Sequence, residues 1–465
     1  MGNDDIAAGL GDFLAATLEH EAAEVRDLRR LSGGASRQTW SFDLFDALDG
    51  SSRPLVLQRV RAGALAATFT MVGEAGLLAA ALEGGVPVAP VVAASDDPAV
   101  IGAPFLVMGR VEGETIARRI LRDDEFAAAR AVLVDQCARA LAGIHRLPVT
   151  VAAHLRADDP VAQLRGLLDV LGQPHPAFEL GLRWLEAHRP PPVEPSVVHG
   201  DFRLGNLMVG PDGLAAVLDW ELAHLGDPLE DLGWLCVRAW RFGSDLPVAG
   251  LGTYDELVAA YEQASGRPVD PDQLRWWEVL GTLRWGLICV LQAAGHLSGA
   301  SRSVELAAIG RRVCENEYDL LALIGVRPAA PDAGSGGDDG GERVTGGIPA
   351  LHDAPSAAQL VEAVREFLEG DVLGATEGRV RFHTQVAARV LAMVERELDQ
   401  GVAPALDHGA RLTAAGFRSD TELAAAIRSR PADEALPEEW LALTWAAVRT
   451  KVQVANPTYL LASDR

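Results

Sequence analysis

A short segment in the middle of the chain, VVHGDFRLGNLMV (197–209), combines an apolar strand pattern with polar side chains that are costly to bury. The apolar residues on both sides predict buried strands. Between them stand His199, Asp201 and Asn206, and a buried polar group without a partner costs several kcal/mol. The segment therefore needs either a structural hydrogen-bond network or a chemical role.

The length and charge of the chain limit the number of domains and the kinds of partner that we expect. With 465 residues it exceeds the ~250–300 at which one core usually divides, so we expect two or three domains. The formal net charge of −24 argues against a general nucleic-acid or anionic-membrane binder, since these need a basic surface. The first residues lack a basic signal region, and no apolar run approaches the ~20 residues of a membrane span. We expect a cytoplasmic protein with no nucleic-acid or membrane partner; its oligomeric state stays open.

The cysteines indicate no metal or disulfide chemistry. They are far apart and form no CxxC pair, so neither a zinc site nor a disulfide framework is indicated. We expect small buried side chains at all four positions, Cys137, Cys236, Cys289 and Cys314.

One segment, residues 328–355, divides the chain. It is rich in Gly, Pro, Asp and Ser, which predicts a flexible linker. It separates a larger part, residues 1–327, from a helical part, residues 356–465. In the helical part, apolar residues within 379–398 recur every three or four positions and form one amphipathic face. This part either buries a small core of its own or docks through that face.

The larger part changes character along its length. Its first third is strand-rich with one helix, and from Leu229 onward it is mostly helical. One of its helices has a clear beginning and end. Thr253 and Glu256 form a capping box, and Gly266 follows as the stop.

The spacing of Asp201, Asn206 and Asp219 suits phosphoryl transfer from ATP. That reaction needs a carboxylate for the attacking hydroxyl, oxygen ligands for Mg²⁺, and a cation for the phosphate oxygens. Mg²⁺ prefers hard oxygen ligands such as carboxylates. An H-x-D-x-x-x-x-N loop, followed by an Asp at the end of the next strand, would supply the base and two metal ligands.

The segments HGDFRLGNLMV and VLDWELAHLGDPLEDLGWL resemble the aminoglycoside phosphotransferase-like (APH) family of small-molecule kinases. The resemblance spans roughly residues 25–325. It implies an α+β, two-lobed protein-kinase-like fold, with a mixed N-lobe sheet and a helical C-lobe. The helical part would add a small all-α C-terminal domain.

The same resemblance implies roles for individual residues. Asp201 would be the catalytic base, Asn206 a Mg²⁺ ligand and Asp219 the principal Mg²⁺ ligand. His199 would support the loop, and two further carboxylates would lie behind it or cap a helix. These are Asp227 and Asp231.

Nucleotide-binding residues are implied as well. A turn between two predicted strands could cover phosphates with its backbone N–H groups. Glu74, on the first helix after the third strand, would pair with the phosphate-binding cation, and backbone groups near Met108 and Val111 would meet adenine. The turn contains Ser32, Gly33, Gly34 and Ser36.

The third strand departs from the pattern of kinases, which place a phosphate-binding Lys there. Here the candidates are Gln58 and Arg59. Strand alternation directs only one of them inward. Arg supplies charge and donors to phosphate, so we expect Arg59 to face the site. If Gln58 faces it instead, nucleotide binding would be weak.

These features predict an ATP- and Mg²⁺-dependent phosphotransferase acting on a hydroxyl of a small molecule. The segment DDPAVIGAPFLVMGRVEGE (96–114) resembles the kinase domain fused to some acyl-CoA dehydrogenases, which implies a hydroxyacyl-CoA acceptor. Aminoglycosides, other antibiotics and sugars stay open as acceptors, because fold likeness does not fix substrate.

Two other functions stay open. A nucleotide-binding pseudokinase would act through a protein partner of its helical tail. A metallohydrolase would use His199, Asp201, Asp219 and His224. Zinc sites of that kind favour tight His clusters such as H-E-x-x-H, and the sequence contains none.

Overall fold

The computed structural model describes residues 2–19, 23–31, 37–48, 50–61, 70–152, 158–300, 304–326 and 357–464. The strands are β1 (Ala23–Arg30), β2 (Arg37–Asp46), β3 (Ser52–Val60), β4 (Val91–Ser95), β5 (Phe105–Gly109), β6 (Ser196–Val198), β7 (Leu207–Gly210), β8 (Gly213–Val217) and β9 (His224–Gly226). The helices are α1 (Asn3–Thr17), α2 (Met71–Glu83), α3 (Ala117–Arg122), α4 (Ala127–Ile144), α5 (Pro160–Leu171), α6 (Pro176–Ala187), α7 (Leu229–Cys236), α8 (Tyr254–Ser265), α9 (Pro271–Leu297), α10 (Val304–Arg311), α11 (Val313–Leu323), α12 (Ala357–Phe367), α13 (Gly378–Gln400), α14 (Ala403–Ala414), α15 (Asp420–Ser429) and α16 (Glu438–Ala455).

The chain forms two compact units. The first contains Met1–Asp158 and Pro190–Glu278, and the second contains Asp159–Arg189 and Val279–Arg465. Every predicted site residue that the structure describes belongs to the first unit. No helix in the described ranges is long and apolar enough to cross a membrane. All four cysteines are buried, as expected.

The first lobe of the first unit is a five-stranded sheet in the order β1-β2-β3-β5-β4. The expected mixed sheet is in fact antiparallel at all four pairings. The reason is its connectivity. Strands β3 and β4, which α2 connects, run in the same direction, but they are not neighbours. Strand β5 lies between them and pairs antiparallel with both.

Strand alternation gives this sheet two different faces. One face packs on α1 and forms an apolar core with its buried residues. The opposite face carries the alternate positions, which are more polar and point away from α1. The α1-facing core of the sheet consists of Trp40, Phe42, Leu44, Leu55, Leu57, Phe105 and Val107.

The second lobe of the same unit is mainly helical and includes α4, α7 and α8. Two short antiparallel pairs, β6–β9 and β7–β8, lie within it. The capping box predicted at α8 is present, with Glu256 N–H donating to Thr253 Oγ1 at 3.2 Å. Gly266 ends this helix at φ +72°. The expected two-lobed fold, with a helical C-terminal region, is confirmed.

In the second unit, the C-terminal helices share one hydrophobic cluster with α6 and α11. From α6 and α11 the cluster includes Leu180, Tyr318 and Leu321, and α14, α15 and α16 complete it. Helices α14, α15 and α16 therefore dock onto earlier helices of their own unit, and this cluster contains no residue of the amphipathic face predicted within 379–398. The division of the chain at 328–355 stays a prediction, because residues 327–356 lie outside the described ranges.

Helix α11 carries a row of buried polar side chains that pair with the C-terminal helices. Burying these groups without partners would be costly. Each partner lies about 140 residues later in the chain. The pairs are Glu315–Asn456, Glu317–Lys451, Tyr318–Asp464 and Asp319–Tyr459.

Glu317 is the most strongly perturbed of these groups. Burial by itself would raise the pKa of Glu317, but the charge of Lys451 and the hydrogen bond with His175 lower it to about 2. A carboxyl whose pKa is lowered on folding stabilises the protein above its unfolded pKa. That contribution is lost as the pH falls towards the folded pKa.

We predict that Glu317→Gln destabilises the protein in a pH-dependent way. The difference in the free energy of unfolding from wild type should be largest above pH ~5 and shrink as the pH falls from ~4.5 towards ~2. Urea unfolding at pH 7, 5, 4 and 3 measures it. The exposed Glu439→Gln, which makes the same charge change, serves as control. A difference that stays constant with pH would refute the role given to Glu317.

Candidate active site

The segment that motivates the site begins where β6 ends, at His199. Gly200 adopts φ +76°, a conformation that favours glycine. A Cβ added there would lie 2.4 Å from the carbonyl oxygen of Leu222, so the site has no room for a side chain. The backbone therefore turns sharply before Asp201.

Asp231 in α7 holds this turn from behind. Its Oδ2 accepts the backbone N–H of His199 at 2.7 Å, and its Oδ1 accepts that of Gly200 at 2.9 Å. His145 Nε2 lies 3.1 Å from Oδ2. Burial by itself would raise the pKa of Asp231, but the hydrogen bond and charge of His145 and the donors at His199 lower it.

Asp227 lies just before α7 and accepts Leu229 N–H at 2.8 Å, as a capping residue does.

His199 is buried and uses both ring nitrogens inside the protein. The backbone N–H of Asp201 lies 3.2 Å from Nδ1, so Nδ1 accepts and the proton stays on Nε2. Nε2–H then donates to the Leu218 carbonyl at 2.9 Å. A histidine engaged in this way is a support of the loop rather than a metal ligand.

Asp201 and Asn206 meet directly. Asn206 Nδ2 lies 2.6 Å from Asp201 Oδ2 and 2.9 Å from the Asp201 carbonyl oxygen. Asp201 Oδ1 accepts from Trp234 Nε1 at 2.8 Å and from Arg203 Nε at 3.1 Å. Three side-chain donors therefore fix the carboxylate. The amide nitrogen of Asn206 faces Asp201, which leaves its oxygen for a cation.

Asp219 is brought beside Asn206 by the β7–β8 hairpin. Asn206 directly precedes β7, and Asp219 follows β8 by two residues. Leu218 N–H donates to the Asn206 carbonyl at 2.8 Å. Asp219 itself is exposed and adopts φ +61° and ψ +64°, which is uncommon for a residue other than glycine.

Among the described residues, no group of three or more His, Cys, Asp or Glu side chains could hold a metal by itself. This does not conflict with Mg²⁺, which is commonly held by one or two carboxylates together with phosphate oxygens and waters. The carboxylate of Asp219 and the amide oxygen of Asn206 are ligands of that kind. A site built mainly from protein side chains, as a zinc hydrolase needs, does not fit the same residues.

Glu74 is paired as expected of the helix-borne Glu, but with an unexpected partner. Arg37 on β2 donates to both of its carboxylate oxygens, at 2.7 and 2.6 Å. Arg37 also donates to Gln58 Oε1 at 3.1 Å, and its Nε lies 3.4 Å from Glu221 Oε2. Burial by itself would lower the pKa of Arg37, but the carboxylates of Glu74 and Glu221 raise it. The sequence reasoning missed Arg37.

Arg59 does not make the contact expected of it. It shares the α1-facing side of β3 with Leu55 and Leu57, because alternate strand residues point to the same face. Its Nε donates to the Ile101 carbonyl at 3.0 Å, and its Nη1 donates to Gln38 Oε1 at 3.2 Å. Gln58 takes the position towards Glu74 instead.

The residues expected to meet adenine lie at the connection between the two lobes. Met108 is buried near the end of β5, and Val111 follows that strand by two residues. The chain then reaches Glu114, which exchanges both backbone hydrogen bonds with Val209 of β7. The remaining nucleotide residues, Ser32, Gly33, Gly34 and Ser36, lie outside the described residues.

Comparison with known proteins agrees with this geometry. The model of the phosphotransferase enzyme family (APH) matches residues 27–277, just over half of the chain. The region contains each residue of the site described above. Residues 374–459 match a domain of unknown function (DUF6285).

Two mouse proteins are similar to the first part of the chain. Acyl-CoA dehydrogenase family member 10 of Mus musculus is 28% identical over 254 residues, which cover 51% of this chain and 23% of that protein. Acyl-CoA dehydrogenase family member 11 of Mus musculus is 30% identical over 216 residues, covering 41% of this chain and 27% of that protein. The chain thus spans about a quarter of the length of these relatives.

A solved structure shares the fold. A candidate aminoglycoside phosphotransferase of Ralstonia eutropha superposes with a TM-score of 0.55 at 22% sequence identity, covering 68% of this chain and 98% of that chain. The two-lobed architecture, the paired sequence motifs around Asp201 and Asp219, and the family match over more than half of the sequence agree. The chain therefore belongs to the phosphotransferase enzyme family (APH), whose members are small-molecule kinases.

Proposed function

We propose that this protein transfers the γ-phosphoryl group of ATP, in the presence of Mg²⁺, to a hydroxyl group of a small molecule. The observation that carries the proposal is the hydrogen bond from Leu218 N–H to the Asn206 carbonyl. It sets Asn206 beside Asp219, while the Asn206 side chain contacts Asp201. The proposed base and the two proposed oxygen ligands thus lie on adjoining turns, an arrangement that suits phosphoryl transfer.

The charge of the site supports a cationic cofactor. Four carboxylates, those of Glu74, Asp201, Asp219 and Glu221, stand against the two guanidinium groups of Arg37 and Arg203, which leaves a formal charge of −2. Unscreened negative charge would repel the phosphates of ATP. Mg²⁺ held by Asp219 and the amide oxygen of Asn206 would neutralise it and offset the charge of the phosphates.

In the proposed reaction, Asp201 orients the acceptor hydroxyl and takes its proton. A bond then forms between the hydroxyl oxygen and the γ-phosphorus, and the bond from that phosphorus to the ADP oxygen breaks. The donors around Asp201 hold the carboxylate in one orientation, so it needs no rearrangement to receive the proton.

For the acceptor we propose a hydroxyacyl-CoA. The names of the mouse relatives, acyl-CoA dehydrogenase family members, support this class. A screen of hydroxyacyl-CoAs, aminoglycosides and sugars for ATP-dependent ADP release tests it. Phosphorylation of a hydroxyacyl-CoA well above the other classes is expected. Nucleotide binding without turnover on any acceptor would instead favour a pseudokinase.

We predict that Asp219→Asn lowers the rate of phosphoryl transfer by about 10²-fold or more and raises the Mg²⁺ concentration needed for half-maximal rate. A catalytic metal contributes several kcal/mol, and each ~1.4 kcal/mol is a factor of ten. Initial rates over a Mg²⁺ series measure both effects. Asp212→Asn, an exposed position on the turn of the same hairpin, is the matched control. An unchanged rate at low Mg²⁺ would exclude Asp219 as a ligand.

We predict that Asp201→Asn lowers kcat by about 10²–10⁴-fold, the usual contribution of general-base assistance. Nucleotide affinity should stay near wild type, because Asp201 faces the acceptor. Isothermal titration with an ATP analogue and steady-state kinetics separate the two quantities. Loss of nucleotide binding with normal turnover at saturation would contradict the assignment.

A further inference from the structure

Phosphoryl transfer needs a cation at the phosphate oxygens, and the third strand does not supply one. Gln58, which points towards Glu74, is uncharged. Arg59 lies on the opposite face and is engaged with the Ile101 carbonyl and Gln38. The cation must come from another element.

Arg37 has the charge, but most of its donors are already occupied. Its terminal nitrogens bind both oxygens of Glu74 and the amide oxygen of Gln58, and its Nε faces Glu221. Only 4% of the residue is exposed. Two carboxylates thus balance one guanidinium group, and Arg37 retains little capacity for a phosphate.

Arg203 differs from Arg37 both in its exposure and in the number of its donors that are occupied. Its Nε binds Asp201 Oδ1 at 3.1 Å, and 31% of its side chain is exposed. Among the described residues, Asp201 is its hydrogen-bond acceptor, and that bond uses Nε alone. The two terminal nitrogens therefore keep their donors beside the catalytic base.

The guanidinium group of Arg203 is also held in place. Its central carbon lies 5.0 Å from the ring centroid of Trp240, within the range of a cation–π contact. A Cβ added at Gly205 would lie 2.5 Å from Arg203 Nη1, so a side chain at this position would displace the guanidinium group. Asp201 and Trp240 thus hold a cation whose terminal donors remain accessible.

We propose that Arg203 is the cation that stabilises the phosphoryl group during its transfer, an inference that rests on the proposed function. As the γ-phosphorus leaves the ADP oxygen and bonds to the acceptor oxygen, the terminal nitrogens of Arg203 donate to its equatorial oxygens. The acceptor proton goes to Asp201, and Arg203 neither gains nor loses one. The planar fork of an arginine suits two phosphate oxygens at once.

The test uses ADP, Mg²⁺ and aluminium fluoride, which together mimic the phosphoryl group in transfer and need no acceptor. In the wild type, aluminium fluoride should strengthen ADP binding, as transition-state analogues bind about 10²-fold or more tighter than ground-state ligands. In Arg203→Ala, ADP alone should bind as in the wild type, while the gain from aluminium fluoride falls by about tenfold or more. Isothermal titration measures both affinities.

Three further variants sharpen the test. Gly205→Ala displaces the guanidinium group without removing it and should reduce the same gain, which keeps the test decisive if Arg203→Ala fails to fold. Arg203→Lys keeps the charge but loses the fork, so it should restore part of the gain. Arg139→Ala, an exposed arginine paired with Asp135 on α4, should leave the gain unchanged.

The outcomes separate this inference from the proposed function. If the wild type shows the gain and both Arg203→Ala and Gly205→Ala keep it in full, Arg203 does not contact the phosphoryl group, while the proposed function stands. The same result with slower phosphorylation of an acceptor would show that Arg203 only orients Asp201, which also overturns the inference. If the wild type binds no ADP with Mg²⁺, the proposed function fails and this inference fails with it.

Discussion

The buried carboxylate of Asp231 is the interaction on which the site depends. It accepts the backbone N–H groups of His199 and Gly200 and faces His145 Nε2. The turn before Asp201 is thereby fixed to α7. The ring of His199 in turn donates to the carbonyl of Leu218, which directly precedes the proposed metal ligand Asp219. One buried charge with three donors thus sets two separate turns relative to each other.

The sheet side of the site depends on a second buried charge, that of Arg37. Its pairing with Glu74 connects β2 to α2, and its contact with Glu221 reaches the turn that follows Asp219. A buried ion pair adds little net stability, because both charges lose water. Its value here is orientation, since a planar guanidinium group meets Glu74 in only one geometry.

The parts of the site that the sequence predicts are those encoded locally. Asp201, Asn206 and Asp219 lie within 19 residues on one loop and hairpin, so their spacing alone places them together. Arg37 and Glu74 are 37 residues apart and meet only through the sheet. The sequence did contain a sign that Arg59 faces away from the site. Leu55 and Leu57 mark the core face of β3, and Arg59 is the next alternate residue on that face. The sequence offers no comparable sign that the terminal nitrogens of Arg203 stay unoccupied.

Helix α11 has a consequence for the order in which the chain folds. Its sequence, VCENEYDLLAL, looks like that of a solvated helix, yet its acidic residues are buried against partners about 140 residues later. At ribosomal rates of about 5–20 residues per second, α11 waits on the order of ten seconds for them. During that time Leu180, Tyr318 and Leu321 lack most of their cluster. The nascent chain therefore keeps this apolar surface uncovered long after the loop that contains Asp201 has been synthesised.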